Sequence, residues 1–130
     1  MTALADIEGE LIPRGQARFP QAVVRDELDN HLLEELPTIQ FLQIPGGGYD
    51  GVKLARMLVD MNVYAPDRCA AIELAGEVHE WIMHVVRGSA TSTLVIGRIR
   101  CLSLPADLPY ENTALRRAGG TYEIFCHPVS

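Results

Sequence analysis

Three segments that alternate apolar and polar residues, one long stretch of helical periodicity between them, and short punctuated connections predict an α+β fold. The expected form is a twisted, mostly antiparallel sheet of about five strands with helices packed on one face. The element order is helix, strand, short turn, two strands around a glycine-rich loop, helix, strand, strand. Neighbouring strands joined by short loops pair antiparallel. The 130 residues suit one domain over 1–130, since a chain of this length buries roughly two-thirds of its unfolded surface and holds a core unaided.

Residues 3–15 predict a helix, with Leu4, Ile7, Leu11 and Ile12 on one stripe and Thr2 or Asp6 as cap. Pro13 and Gly15 are expected to fray or stop it. Residues 21–26 (QAVVRD) read as a strand and 29–36 (DNHLLEEL), ahead of Pro37, as a single helical turn. In 38–44 (TIQFLQI), Ile39 and Phe41 take one face and Gln40 the other. GGGYDG (46–51) then reads as a loop. From Val52 to Tyr64 the alternation returns, with Met57, Val59, Met61 and Val63 opposite Arg56, Asp60 and Asn62, which makes a long hairpin.

Pro66 and Asp67 open a helix over about 66–87. Ala71, Leu74, Ala75, Val78, Ile82 and Val85 share its apolar stripe with Trp81 beside them. Glu73, Glu77, Glu80 and Arg87 lie opposite, and Gly88 closes it. Residues 92–104 form a strand with Arg98 and Arg100 on the same face as Leu94, Ile96 and Leu102. Residues 105–120 read as an irregular connection, and 121–127 (TYEIFCH) as the last strand, with Tyr122, Ile124 and Cys126 on one side. Two sheet edges remain, and open edges invite pairing with another subunit.

Composition narrows the function. The net charge is −6, with 17 acidic against 11 basic residues and Lys53 as the only lysine. Duplex nucleic acid is a poor fit, because phosphate binding draws on clustered cations. A single-stranded nucleic acid binder needs aromatics interleaved with basic residues. Cys69, Cys101 and Cys126 are too few and too scattered for a disulfide framework. No apolar run approaches the ~18 residues of a membrane span. The opening MTALADIEGE carries acids and no cationic stretch, so no signal peptide is expected and folding is expected in the cytoplasm.

The familiar chemical motifs fail on context. GGGYDG fits G-x-G-x-x-G after a strand, but a dinucleotide site needs a helix to start there, and here a strand follows. His79-Glu80 and His84 miss H-E-x-x-H by one residue, and five helical steps turn the second imidazole by roughly 140°. Cys101 with Cys126-His127 would lack a fourth metal ligand, and adjacent strand residues face opposite ways. No G-x-S-x-G nucleophile turn is present. No catalytic residue, cofactor or metal is therefore expected. The remaining candidates are interface residues: Tyr49 and Asp50 at the glycine-loop tip, Arg56, Arg98 and Arg100 on strands, and Tyr110, Asn112, Arg116 and Arg117 near the C-terminus. Arginine and tyrosine are favoured at protein contacts, and an acidic chain supplies counter-charges.

Four segments carry a family resemblance in order: DIEGELIPRG, EELPTIQFLQIPGGGYDG, LVDMNVYAPDRCAAIELAGEV and LPYENTALRRAGGTYEIFCHP. Together they cover nearly the whole chain and resemble the tail terminator (tail completion) proteins of long-tailed phages, particularly those of actinobacterial hosts. The resemblance implies a non-catalytic virion protein. Such a protein forms a homo-oligomeric ring, typically of six subunits, that caps the tube of major tail protein and ends its growth. It then offers a surface to the head–tail connector or stopper protein. DNA would pass through the lumen without specific binding, no membrane would be involved, and the location would be the head-proximal end of the tail after assembly in the host cytoplasm. The alternative is a ring protein of the head–tail connector itself, and a more distant one is a small-molecule-binding or enzymatic α+β domain.

Overall fold

A computed structural model of the chain describes residues 5–51 and 54–129. Thr2 and Leu4, part of the expected first helix, and Val52 and Lys53 lie outside the described residues. The elements in order are α1 (Ile7–Arg18), β1 (Val23–Arg25), a 3₁₀ turn (Leu32–Glu34), β2 (Thr38–Tyr49), β3 (Ala55–Ala65), α2 (Arg68–Trp81) with a π turn (Ile82–Val86), β4 (Leu94–Leu108) and β5 (Arg116–Pro128). The strands form one mixed sheet in the order β1-β2-β3-β5-β4. Only β1–β2 is parallel, so the architecture is the expected α+β sheet.

Both α-helices pack on one face. Ile7 and Leu11 of α1 and Ala71, Leu74, Ala75, Val78 and Trp81 of α2 close over Ile39, Phe41, Val59, Met61, Val63, Tyr122 and Ile124 in one continuous apolar cluster. Alternation explains the sheet side of this core. Each inward residue of β3 registers with an inward residue of β2 or β5, as Met61 does with Phe41. The closing strand needs its glycines: a Cβ on Gly120 would collide with the backbone oxygen of Ser103.

The larger departures from the sequence reading each have a packing reason. The first helix does not stop at Pro13. Asp6 caps its start by accepting from the Gly9 N–H at 3.0 Å, and it runs on to Arg18. Pro13 forgoes one backbone bond on the exposed side, whereas Gly15 is buried where a Cβ would sit 3.2 Å from Phe41. That glycine permits close approach and terminates nothing. Gly15 O then accepts from the Phe19 N–H at 2.8 Å.

The glycine-rich segment is mostly strand, not loop. β2 continues to Tyr49, with Gly48 and Tyr49 paired to Arg56 and Ala55 beyond a register shift after Ile44. A Cβ on Gly47 would collide with Arg56 O, which is why small residues carry the bulge. Similarly, β4 extends past Pro105 to Leu108 and β5 begins at Arg116, so the irregular connection shrinks to residues 109–115. Register shifts on either side of Ser103 absorb the proline without ending the ladder.

At the end of α2 the Arg87 N–H donates to Ile82 O at 3.0 Å, five residues back. This π turn inserts one extra residue and rotates the helix phase. Val86 is therefore fully buried, and Val85, assigned to the apolar stripe by its spacing, is 55% exposed. Gly88 follows with φ of 78°, as its closing role requires. A bulge between Ile96 and Ile99 has a parallel effect in β4: Leu94, Ile96 and Ile99 all face the core, and Arg98 and Arg100 are turned to the opposite, outer face. The expected sharing of one face by these arginines with Leu94 and Ile96 is thereby corrected.

Candidate functional site

No α-helix covers the outer face of the sheet among the described residues. At one end the segment around the 3₁₀ turn folds over it, packing Leu32 with Tyr64 and Leu115 in a small second cluster. Elsewhere no other element covers the outer face of β3, β5 and β4 among the described residues, and here the structure assembles several of the predicted residues.

The organiser is Glu123. In T-Y-E-I-F, Tyr122 and Ile124 point into the core, which places Glu123 and Phe125 on the outer face. Register sets Glu123 between Leu58 of β3 and Arg100 of β4. Arg56 Nη1 donates to Glu123 Oε2 at 2.8 Å, and Arg56 Nη2 donates to Gly46 O at 2.9 Å. Arg100 Nε sits 3.3 Å from Glu123 Oε1 as an ion pair, too far out of line for a hydrogen bond. The guanidinium of Arg98 lies 4.7 Å from the centroid of the Phe125 ring. Three arginines are thus held over one face by a single carboxylate and an aromatic ring. The Glu123 side chain is 9% exposed, against 38% for Arg56 and 57% for Arg100, so it is shielded by groups that themselves remain in water.

Tyr49 and Leu54 continue this patch. With Arg56 and Phe125 they border a shallow hollow of about 180 Å³. Tyr49 is 54% exposed. Asp50 stabilises the tip locally: its N–H donates to Leu54 O at 3.0 Å and its Oδ1 accepts from the Leu54 N–H at 3.0 Å.

Tyr110, Asn112, Arg116 and Arg117 form a separate group. Tyr64, which registers with Arg117, is eight residues along β3 from Arg56, roughly 27 Å at ~3.4 Å per residue. Here the side chains are largely committed to the fold. Tyr110 meets Tyr64 edge-on at 5.2 Å. Arg117 Nε donates to Asn62 Oδ1 at 3.1 Å, and Asn62 Nδ2 and Tyr64 Oη both donate to Gln40 Oε1 at 3.2 Å. Burial pushes the Tyr64 phenol above its ordinary value, so it stays a neutral donor. Asn112 Oδ1 accepts from the Ala114 N–H at 2.9 Å and shapes the turn. Arg116 is exposed and, with Tyr110 and Arg117, lines a hollow of about 320 Å³.

The histidine and cysteine candidates diverge in space. His79 Nδ1 lies 2.7 Å from the Tyr122 hydroxyl under α2, and burial drives that phenol strongly upward. His84 Nε2 pairs with Glu80 at 2.9 Å on the solvent side. Cys126 is buried with its thiol 3.8 Å from the Met57 sulfur, Cys101 is partly buried and Cys69 is exposed, all as free thiols. Among the described residues, no group of three His, Cys, Asp or Glu side chains is placed to hold a metal ion. No helix there is long and apolar enough to cross a membrane.

The sequence reading did not single out Glu123, Phe125, Gln40 or Asn62 as site residues. Alternation carried the signal for the first two, since a charged and an aromatic residue fall on the outward positions of the last strand. Compared with known protein families and with curated proteins, the sequence matches none.

Proposed function

We propose that this chain is a structural virion subunit, a tail terminator that assembles as a ring on the end of a phage tail tube, stops its growth and presents a joining surface to the head–tail connector. The observation that supports this reading best is the open outer face of the sheet, where Arg56, Arg98 and Arg100 are pre-positioned by Glu123 and Phe125 beside exposed Tyr49. Arginine and tyrosine held in place lose little freedom on docking, which is the composition of a protein-binding surface. The ordered resemblance over nearly the whole chain gives that surface its context. A ring of six copies would carry about six-fold the chain's charge of −6, and an acidic passage lets DNA slide without sticking. In this role the chain works by contact and carries out no catalysis.

The test is negative-stain microscopy of the purified protein mixed with tubes assembled from the cognate major tail protein. The expected result is a ring at one tube end with elongation arrested. Binding to purified capsids with no association to tubes would overturn the terminator role and place the protein at the head–tail connector.

A further inference from the structure

The arginine patch has a counterpart on the same molecule that it cannot reach. On α2, Ala71, Leu74, Ala75 and Val78 turn inward against the sheet, which leaves Glu73, Gly76, Glu77 and Glu80 on the outward side. Glu80 is engaged by His84, but among the described residues Glu73 and Glu77 form no ion pair. These three acids, with Arg18 and His84, rim a shallow groove of about 570 Å³ floored by the buried Trp81 and bordered by the exposed Val85, so carboxylates outnumber the one arginine there. The groove lies on the helical layer and the arginines lie on the far side of the sheet, so the two surfaces point in opposite directions.

We infer that the arginine patch on the outer sheet face docks the acidic face of α2 from a second copy of this chain, in a head-to-tail contact. The inference rests on the proposed ring-forming role and names the surfaces that would build the ring. Charge complementarity carries it. Arg56, Arg98 and Arg100 outnumber Glu123 and the neighbouring Asp50, and Glu73, Glu77 and Glu80 outnumber Arg18. Spacing agrees: residues four apart on a helix stand about 5–6 Å apart, and residues two apart on a strand about 7 Å. Glu73 and Glu77 can therefore face Arg98 and Arg100 together. Exposed Val85 supplies apolar area opposite Tyr49 and the half-buried Phe125.

The opposed placement also dictates the symmetry. A pair of copies joined by this contact leaves one patch and one acidic face open, pointing away from each other. A third copy adds by the same contact, and repetition closes a ring when the rotation permits. A two-fold dimer cannot satisfy both surfaces.

Arg98→Glu and Glu77→Arg test this directly, because both side chains are exposed and neither substitution leaves Glu123 without Arg56 and Arg100. Sedimentation velocity is run at low salt up to on the order of millimolar protein, where weak contacts populate. The wild-type protein is expected to associate beyond a dimer, less so as salt rises. Each variant alone is expected to associate at least about tenfold more weakly, the usual scale for placing like charges at a contact. An equimolar mixture of the two variants is expected to recover association, since the carboxylate introduced on β4 of one variant then meets the guanidinium introduced on α2 of the other, and native pairs alternate with swapped ones. A wild-type protein that stays monomeric or stops at a dimer, variants that associate normally, or a mixture that fails to recover would each overturn the inference. The tube-capping assay separates it from the functional proposal. Head-to-tail assembly without capping refutes the terminator role alone, and capping by both single variants at wild-type efficiency refutes this contact alone.

Discussion

Val85 and Val86 provide a direct test of how α2 ends. An uninterrupted α-helix would bury Val85 most deeply, seven residues after Val78, and carry Val86 to the edge of the apolar stripe. The π turn reverses this, leaving Val86 at 0% exposure and Val85 at 55%. Val86→Ala removes two buried carbons, about 1.6 kcal/mol at ~0.8 kcal/mol each, and the residual cavity raises the loss to roughly 2–3 kcal/mol. Val85→Ala removes mostly solvated surface, and alanine's better helix propensity returns up to about 0.5 kcal/mol, so its net effect is near zero. For 130 residues the unfolding entropy is about 0.27 kcal/mol/K, so the two variants should differ in Tm by roughly 7–11 °C. Urea and thermal unfolding followed by the fluorescence of Trp81, which is buried beside the turn, measure the losses and the Tm difference. Equal losses, or a larger loss for Val85→Ala, would refute the π turn and return the helix to its simple periodicity.

Glu123→Gln is expected to cost about 1 kcal/mol: a charge-assisted contact is worth more, but the two arginines are over a third exposed and screened by water. Urea titration checks this, and a wild-type midpoint would mean that the carboxylate does not organise the patch. Native protein treated with a thiol reagent at pH 8 should modify Cys69 rapidly and Cys126 only on unfolding. Burial pushes the Cys126 thiol from 9.0 up to about 11, so its contribution to stability is complete below pH 9 and is lost as the pH rises towards 11. Cys126→Ala should flatten that part of the stability–pH curve measured by urea unfolding, and an unchanged slope would assign it to other groups.

Much of the fold was legible because local rules and tertiary packing agree. Alternation in β2, β3 and β5 sorts residues correctly: Ile39, Phe41, Met57, Val59, Met61, Val63, Tyr122, Ile124 and Cys126 are all buried on the predicted side. Asp67 caps α2 by accepting from the Ala70 N–H, and the helix stripe is right as far as Ile82. Legibility ends where one residue is inserted. The bulge after Ile96 and the π turn after Trp81 each shift the phase of everything beyond them, so Arg98, Arg100 and Val85 fall on unexpected faces. Gly15, Pro13 and Pro105 look like terminators by propensity, but apolar packing around α1 and ladder pairing along β4 outweigh a lost bond or two.

The candidate site divides in the same way. The residue types suited to a protein contact stand in the sequence itself: arginines in pairs, a tyrosine beside glycines, few lysines and an acidic balance. The grouping was decided only by the sheet. Arg56, Arg98, Arg100 and Glu123 come from three strands and up to 67 positions apart, and they meet because β5 lies between β3 and β4. The same register sends Tyr110 and Arg117 into a second cluster at the far end. A sequence specifies side-chain chemistry and local period residue by residue, whereas partnership across strands depends on register, which emerges only when the whole core closes.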